Sequence, residues 1–103
     1  MTWAATGWHL ILSAPATSYQ NVTVTATASV NVTNTPYYIE IFDENGTRLK
    51  ACGSGATCTV DFNPSEDGSH LVAFISGWGT TLPPPNVQAS SNVVTTTRLV
   101  IPG

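Results

Sequence analysis

Charge is what this chain has least of. Only 9% of its 103 residues are charged. Three are basic, Arg48, Lys50 and Arg98, and they are scattered. Phosphate recognition needs a stripe of Lys and Arg, so these three exclude nucleic-acid binding. With a net charge of −3, they also argue against an anionic membrane surface. No apolar run approaches the ~20 residues of a spanning helix, so membrane insertion is not expected. The start, Met-Thr-Trp-Ala-Ala-Thr-Gly-Trp, has neither a positive segment nor a long apolar one. It does not read as a signal peptide. That leaves a mature or excised domain, or a short complete protein that leaves the cell by assembly or lysis. Helix formers are few and no window sustains a 3.6-residue period. No internal repeat occurs, which excludes propellers and solenoids.

What is present is β-forming. Hydrophobic residues make up 42% of the chain, and Thr, Ser and Asn supply most of the polar surface. Val22 to Val30 alternates apolar with Thr or Ser without a break, predicting a strand with one buried face. Pro36 to Cys52 reads as a hairpin around Asn45-Gly46, a dipeptide suited to a two-residue type I′ turn. That turn sets Phe42 opposite Leu49 and Ile39 opposite Cys52. Tyr37, Ile39 and Ile41 then face the core. Tyr38, Glu40 and Phe42 face the other way, and Glu40 marks that side as the wetter one. Trp8 to Ser13 is a short first strand closed by Ala14-Pro15, and Thr57 to Phe62 is another. Ser69 to Ser76 is apolar on both faces, as a central strand would be. Pro83-Pro84-Pro85 makes a stiff loop segment. The last strand falls within Val87 to Thr97, with a kink at Ser90-Ser91-Asn92. About seven strands separated by turn signals predict an all-β, two-sheet sandwich, antiparallel and Greek-key. Residues 1–7 form an N-terminal arm, 8–97 the domain and 98–103 an apolar tail.

Chemistry is harder to find. Five residues separate Cys52 from Cys58 across a Gly-rich loop, and register turns both inward. A disulfide there would contribute roughly 2–2.5 kcal/mol in the chain-entropy model. Two buried free thiols in a reducing cytosol are the alternative. No zinc set is near, and Asp43-Glu44-Asn45-Gly46 reads as a turn before a calcium loop, so no metal and no cofactor are expected. His9 and His70 fall on strands, no nucleophile elbow occurs, and the chain is not expected to be an enzyme. Three glycosylation sequons, at Asn21, Asn31 and Asn45, match by pattern only. The candidate contact residues are apolar: Trp3 and Trp8 at the start, Leu99 and Ile101 at the end, and Tyr38 and Phe42 on the wetter hairpin face. Trp78, between two glycines, either folds back over the core or contacts a partner.

Glu66-Asp67-Gly68-Ser69-His70-Leu71-Val72 resembles the strand-F corner of immunoglobulin domains. That resemblance places His70 at the corner tyrosine and Val72 at the cysteine. Ala26 or Ala28 would take the other cysteine position and Ile39 would sit near the core tryptophan, so no bridge between the sheets is expected. The stretches Thr35 to Asp43, Cys52 to Cys58, His70 to Ser76 and Val87 to Thr95 are similar to bacterial Ig-like domains of actinobacterial exported proteins and phage-encoded proteins. The resemblance implies a scaffold placed on a virion surface, or else outside the cell. Three roles follow. The first is a phage accessory protein on capsid or tail, bound to a viral protein. The second is a spacer or adhesion module beside neighbouring modules. The third is a carbohydrate-binding module stacking cell-surface glycans on Trp78, Tyr38 and Phe42.

Overall fold

The structure, a computed structural model, describes residues 8–101. Trp3, the rest of the arm and the last two residues lie outside the described residues. The described chain is all-β, with no helix. Its strands are β1 (Leu10–Ser13), β2 (Thr17–Ser18), β3 (Val22–Ala28), β4 (Tyr38–Asp43), β5 (Arg48–Cys52), β6 (Thr57–Phe62), β7 (Ser69–Ser76), β8 (Ala89–Ser90) and β9 (Val94–Arg98). β2 and β8 are two-residue additions to the seven longer strands expected.

Two sheets form, in the orders β1-β3-β6 and β2-β9-β7-β4-β5, with β8 also on β7. Alternation builds the first. Val22, Val24, Ala26 and Ala28 are buried, and the intervening threonines face away. The chain changes sheets at Ala14-Pro15: β1 pairs with β3, whereas β2 pairs with β9. That last pairing is parallel, a departure from the all-antiparallel expectation. β7 lies between β4 and β9, as its two apolar faces require. Its inward residues are Leu71, Ala73 and Ile75, all fully buried in the core shared by the sheets. His70 is exposed, and Val72 shares its outward side. The residues that the resemblance places at the corner tyrosine and the cysteine therefore face outward, and Leu71 and Ala73 face inward.

The hairpin also departs from expectation. Ile39 faces Cys52, Glu40 faces Ala51 and Ile41 faces Lys50, but Phe42 then faces Arg48 rather than Leu49. The cause is the turn. Gly46 has φ +81° while Asn45 keeps a negative φ, so this is not a two-residue type I′ turn. Asp43 N–H donates to Thr47 O, and the Asp43 carboxylate accepts N–H groups of Asn45 and Thr47 at 2.9 and 3.0 Å. This wider loop with a left-handed glycine feeds a bulge into β5. β5 is a sheet edge, and the bulge together with exposed Lys50 discourages pairing by another chain. Lys50→Val is expected to leave the fold intact and to introduce self-association. Light scattering across a concentration series checks it; a chain that stays monomeric contradicts it.

The kink between β8 and β9 ties the sheets together. Ser91 exchanges bonds with Ala73: its N–H donates to Ala73 O, and its Oγ accepts Ala73 N–H at 2.8 Å. Asn92 then crosses to β1. Its Oδ1 accepts Leu12 N–H and its Nδ2 donates to Leu12 O, both at 3.0 Å. One amide thus stands in for a strand partner along β1. Asn92→Ala leaves both Leu12 groups unpartnered, and a loss of about 1–3 kcal/mol is expected in urea unfolding. An unchanged midpoint would show that water replaces the amide.

The last strand runs past residue 97. Arg98 belongs to β9, and Leu99 N–H donates to Ser18 O at 2.8 Å. Arg98 donates to Tyr19 O, Asn21 Oδ1 and Asn63 Oδ1, clamping two turns.

Candidate functional site

The face of β4 away from the core carries an organised set of polar and aromatic side chains. It was expected to be wet, yet Glu40 and Phe42 are both fully buried. The segment from Gly77 to Asn86 covers them. Leaving β7 at Ser76, it folds back along the sheet until Leu82 reaches the hairpin turn, 3.5 Å from where a Gly46 side chain would begin. Pro84 is buried, and Gly77 N–H donates to Pro85 O at 2.9 Å. A side chain on Gly79 would collide with the Pro85 ring, so glycine is needed where this segment doubles on itself.

Glu40 fastens the segment. Its Oε1 accepts Ser76 Oγ–H at 2.8 Å, and its Oε2 accepts an Arg48 N–H at 3.0 Å and the more distant Gly79 N–H. Arg48 donates in turn to Gly79 O at 3.0 Å. The bulge in β5 puts Arg48 on this face within reach of Glu40. Every charge in the cluster has an opposite charge or a hydrogen bond, the condition for burying one.

Trp78 sits on top. The Arg48 guanidinium carbon lies 3.9 Å from its ring centroid, a cation–π contact worth about 0.5–2 kcal/mol. Tyr38 meets it edge-on, with centroids 5.1 Å apart. Even so, 58% of Trp78 remains exposed. It covers the outer face of β4 and not the core between the sheets, so it answers to neither sequence reading alone. Leu82, on the same segment, and Val87, just after it, are exposed as well.

The other candidates divide. Phe42 is not a contact residue: it is buried edge-to-face against Phe74, at 5.8 Å. The cause is the covering segment, which makes a second small apolar layer outside the sheet. Tyr38 is half-buried beside Trp78. Trp8 packs edge-on against Tyr37 at 5.7 Å, which extends the core past β1. Leu99 is half-buried next to β2, and Ile101 is 71% exposed. Trp3 lies outside the described residues.

Cys52 and Cys58 form a disulfide, with a Cα–Cα distance of 5.7 Å. Because β5 and β6 belong to different sheets, this bond joins the sheets. The expectation of no such bond rested on the immunoglobulin cysteine positions, and the bond lies instead between the end of β5 and the start of β6. The Asp43-to-Gly46 turn uses its carboxylates internally: Asp43 caps the turn and Glu44 accepts His70 N–H at 3.2 Å. His70 Nδ1 is 2.9 Å from Thr95 Oγ1. Among the described residues there is no group of three or more His, Cys, Asp or Glu that could hold a metal, and no enclosed pocket.

Glu40, Arg48, Ser76 and Gly79 were not among the sequence candidates. A signal existed: one carboxylate stands alone within Tyr-Tyr-Ile-Glu-Ile-Phe, and if that strand is covered on both faces the Glu must be paired, since Glu is almost never fully buried without a partner.

Comparison with known proteins adds little. No family model matches the chain. No solved structure matches it. A stretch of 40 residues is 42% identical to diaminopimelate epimerases of Brucella canis, Brucella suis and Brucella abortus. The stretch is 39% of this chain and only 13% of each enzyme, too little to show a family.

Proposed function

We propose that the chain is an Ig-like β-sandwich acting as a non-catalytic docking module, a phage virion accessory protein seated on capsid or tail. Strand order supports the Ig-like part. β1, β3 and β6 match strands A, B and E, while β2, β9, β7, β4 and β5 match A′, G, F, C and C′. A first strand that switches sheets agrees with that scheme, as do chain crossings between sheets after β3, β5 and β6.

The observation that carries the docking role is the state of Trp78. A large aromatic left 58% exposed is costly in water, and here a buried ion pair and a tyrosine hold it in place. Pre-ordered exposed aromatics are the anchors from which interfaces draw most of their energy. Leu82, on the same ordered segment, is exposed as well, and two exposed apolar groups on one segment favour a protein partner over a single sugar ring. Particles purified from the phage or prophage that carries the gene provide the test. Mass spectrometry should find the chain in them, and a photo-reactive residue at position 78 should join it to a capsid or tail subunit. Particles that lack the chain rule the virion role out.

One observation favours a second reading, a module in series within an exported protein. The described chain enters beside Trp8 and Tyr37, at the Leu10–Ala28 end of its sheet. It leaves beside Asn21 and Asn63, at the Val22–Phe62 end. Opposite ends are the geometry of a spacer. Immunodetection of the chain on intact cells of the source organism, with none on particles, would select it.

A further inference from the structure

Trp78 is held from two sides, and the disulfide governs one of them. On the first side is Arg48, fixed by Glu40. On the second is Tyr38, whose ring edge meets Trp78 at 5.1 Å. Tyr38 is itself backed by Gly53: a Cβ built there would fall 2.8 Å from Tyr38 Cε2 and 3.1 Å from Cδ2. The Gly53 backbone is therefore flush against the ring. Gly53 follows Cys52, the last residue of edge strand β5. The rest of its loop is tied down by bonds at Gly55 and Ala56: Gly55 N–H to Thr33 Oγ1, Val32 N–H to Gly55 O, and Ala28 N–H to Ala56 O. None of these holds Gly53. At its own end of the loop, its position is set by Cys52, which is held by its ladder pairing with Ile39 at the end of β5 and by the covalent link to Cys58.

We propose that the Cys52–Cys58 disulfide controls the presentation of Trp78, so that a dithiol reductant loosens the contact surface without unfolding the core. Cys52 is half-buried and Cys58 is 1% exposed, so attack falls on Cys52 Sγ. A reductant thiolate forms a bond to Cys52 Sγ, the Sγ–Sγ bond breaks, and Cys58 leaves as a thiolate that takes up a proton. The second thiol of the reductant then displaces Cys52 and closes its own disulfide. Two electrons pass from the dithiol to the protein. The end of an edge strand frays once it is no longer covalently held. Gly53 then withdraws from Tyr38, and Trp78 loses its edge contact while keeping Arg48. The oxidised form is the presenting form, in keeping with a surface that works outside a reducing cytosol.

The proposal rests on Trp78 as the contact residue, but its test needs no partner. The indole N–H signal of Trp78 is identified in a nitrogen–proton correlation spectrum by its loss in Trp78→Phe. Dithiothreitol should shift and broaden that signal, reoxidation should restore it, and the β3 and β7 amide signals should stay in place. Gly53→Ala, with the disulfide intact, should displace the same signal by pushing on Tyr38. A Trp78 signal that stays put in the reduced, folded protein overturns the coupling. If reduction removes the β3 and β7 signals as well, the clause on an unharmed core is overturned, and an unmoved Trp78 signal in Gly53→Ala overturns the rest. Failure of the oxidised chain to bind particles would sink the docking role and leave this coupling decided on its own evidence.

Discussion

Phe42→Ala is expected to lower the free energy of unfolding by about 3–5 kcal/mol, the range for removing a fully enclosed aromatic. A residue on an exposed strand face would lose almost nothing. The difference lies in the Gly77-to-Asn86 segment. Phe42 is fully buried on the outer face of β4, its ring meets Phe74, and Leu82 of the segment reaches the adjoining hairpin turn. Domains of this size are held by only about 5–15 kcal/mol in total, so the variant approaches the limit of folding. Denaturant unfolding monitored by circular dichroism measures it. A change below ~1 kcal/mol would mean that the segment does not cover the strand.

Glu40→Ala should have a comparable effect for a different reason. Removal of the carboxylate leaves the Arg48 guanidinium, its side chain only 17% exposed, without its counter-charge. Gly79 N–H loses its acceptor at the same time, and Ser76 Oγ–H is left with Gly77 O, at 3.1 Å. Breaking one side of a largely buried pair costs about 3–5 kcal/mol, much of it from the charge left behind. The double variant Glu40→Ala with Arg48→Met removes that orphaned charge and should recover a large part of the loss. Recovery distinguishes an ion pair that positions the covering segment from a cavity that any truncation would create. Two single losses that simply add in the double variant would contradict the pairing.

Sheet architecture was readable from sequence because it follows local rules. Period-two alternation in β3 named its buried face. The two apolar faces of β7 named its central place. Clustered turn residues bounded β6 and β7 to the residue. The site was read less well, for three physical reasons. Glu40 looked solvated because strand alternation reports which residues share a face, and here a loop distant in sequence buries the second face. Phe42 was assigned to a contact patch on the same ground. Leu49 is expected opposite Phe42 because the Asn45-Gly46 dipeptide suggests the tighter turn, while the Asp43 carboxylate favours the wider one, which brings Arg48 opposite Phe42 next to the turn. Trp78 was visible as an oddity between two glycines. Its supports were not, because Arg48 and Tyr38 approach it from other parts of the chain.

The most direct test compares the binding of wild-type and Trp78→Ala protein to the purified particles, with melting temperatures recorded alongside. An exposed anchor should contribute at least ~2 kcal/mol to binding, roughly thirtyfold in affinity, and little to stability. The expected result is binding at least ~30-fold weaker with a melting temperature within a few degrees of wild type. Equal affinity of the two proteins for the particles would contradict the assignment of Trp78 as the contact.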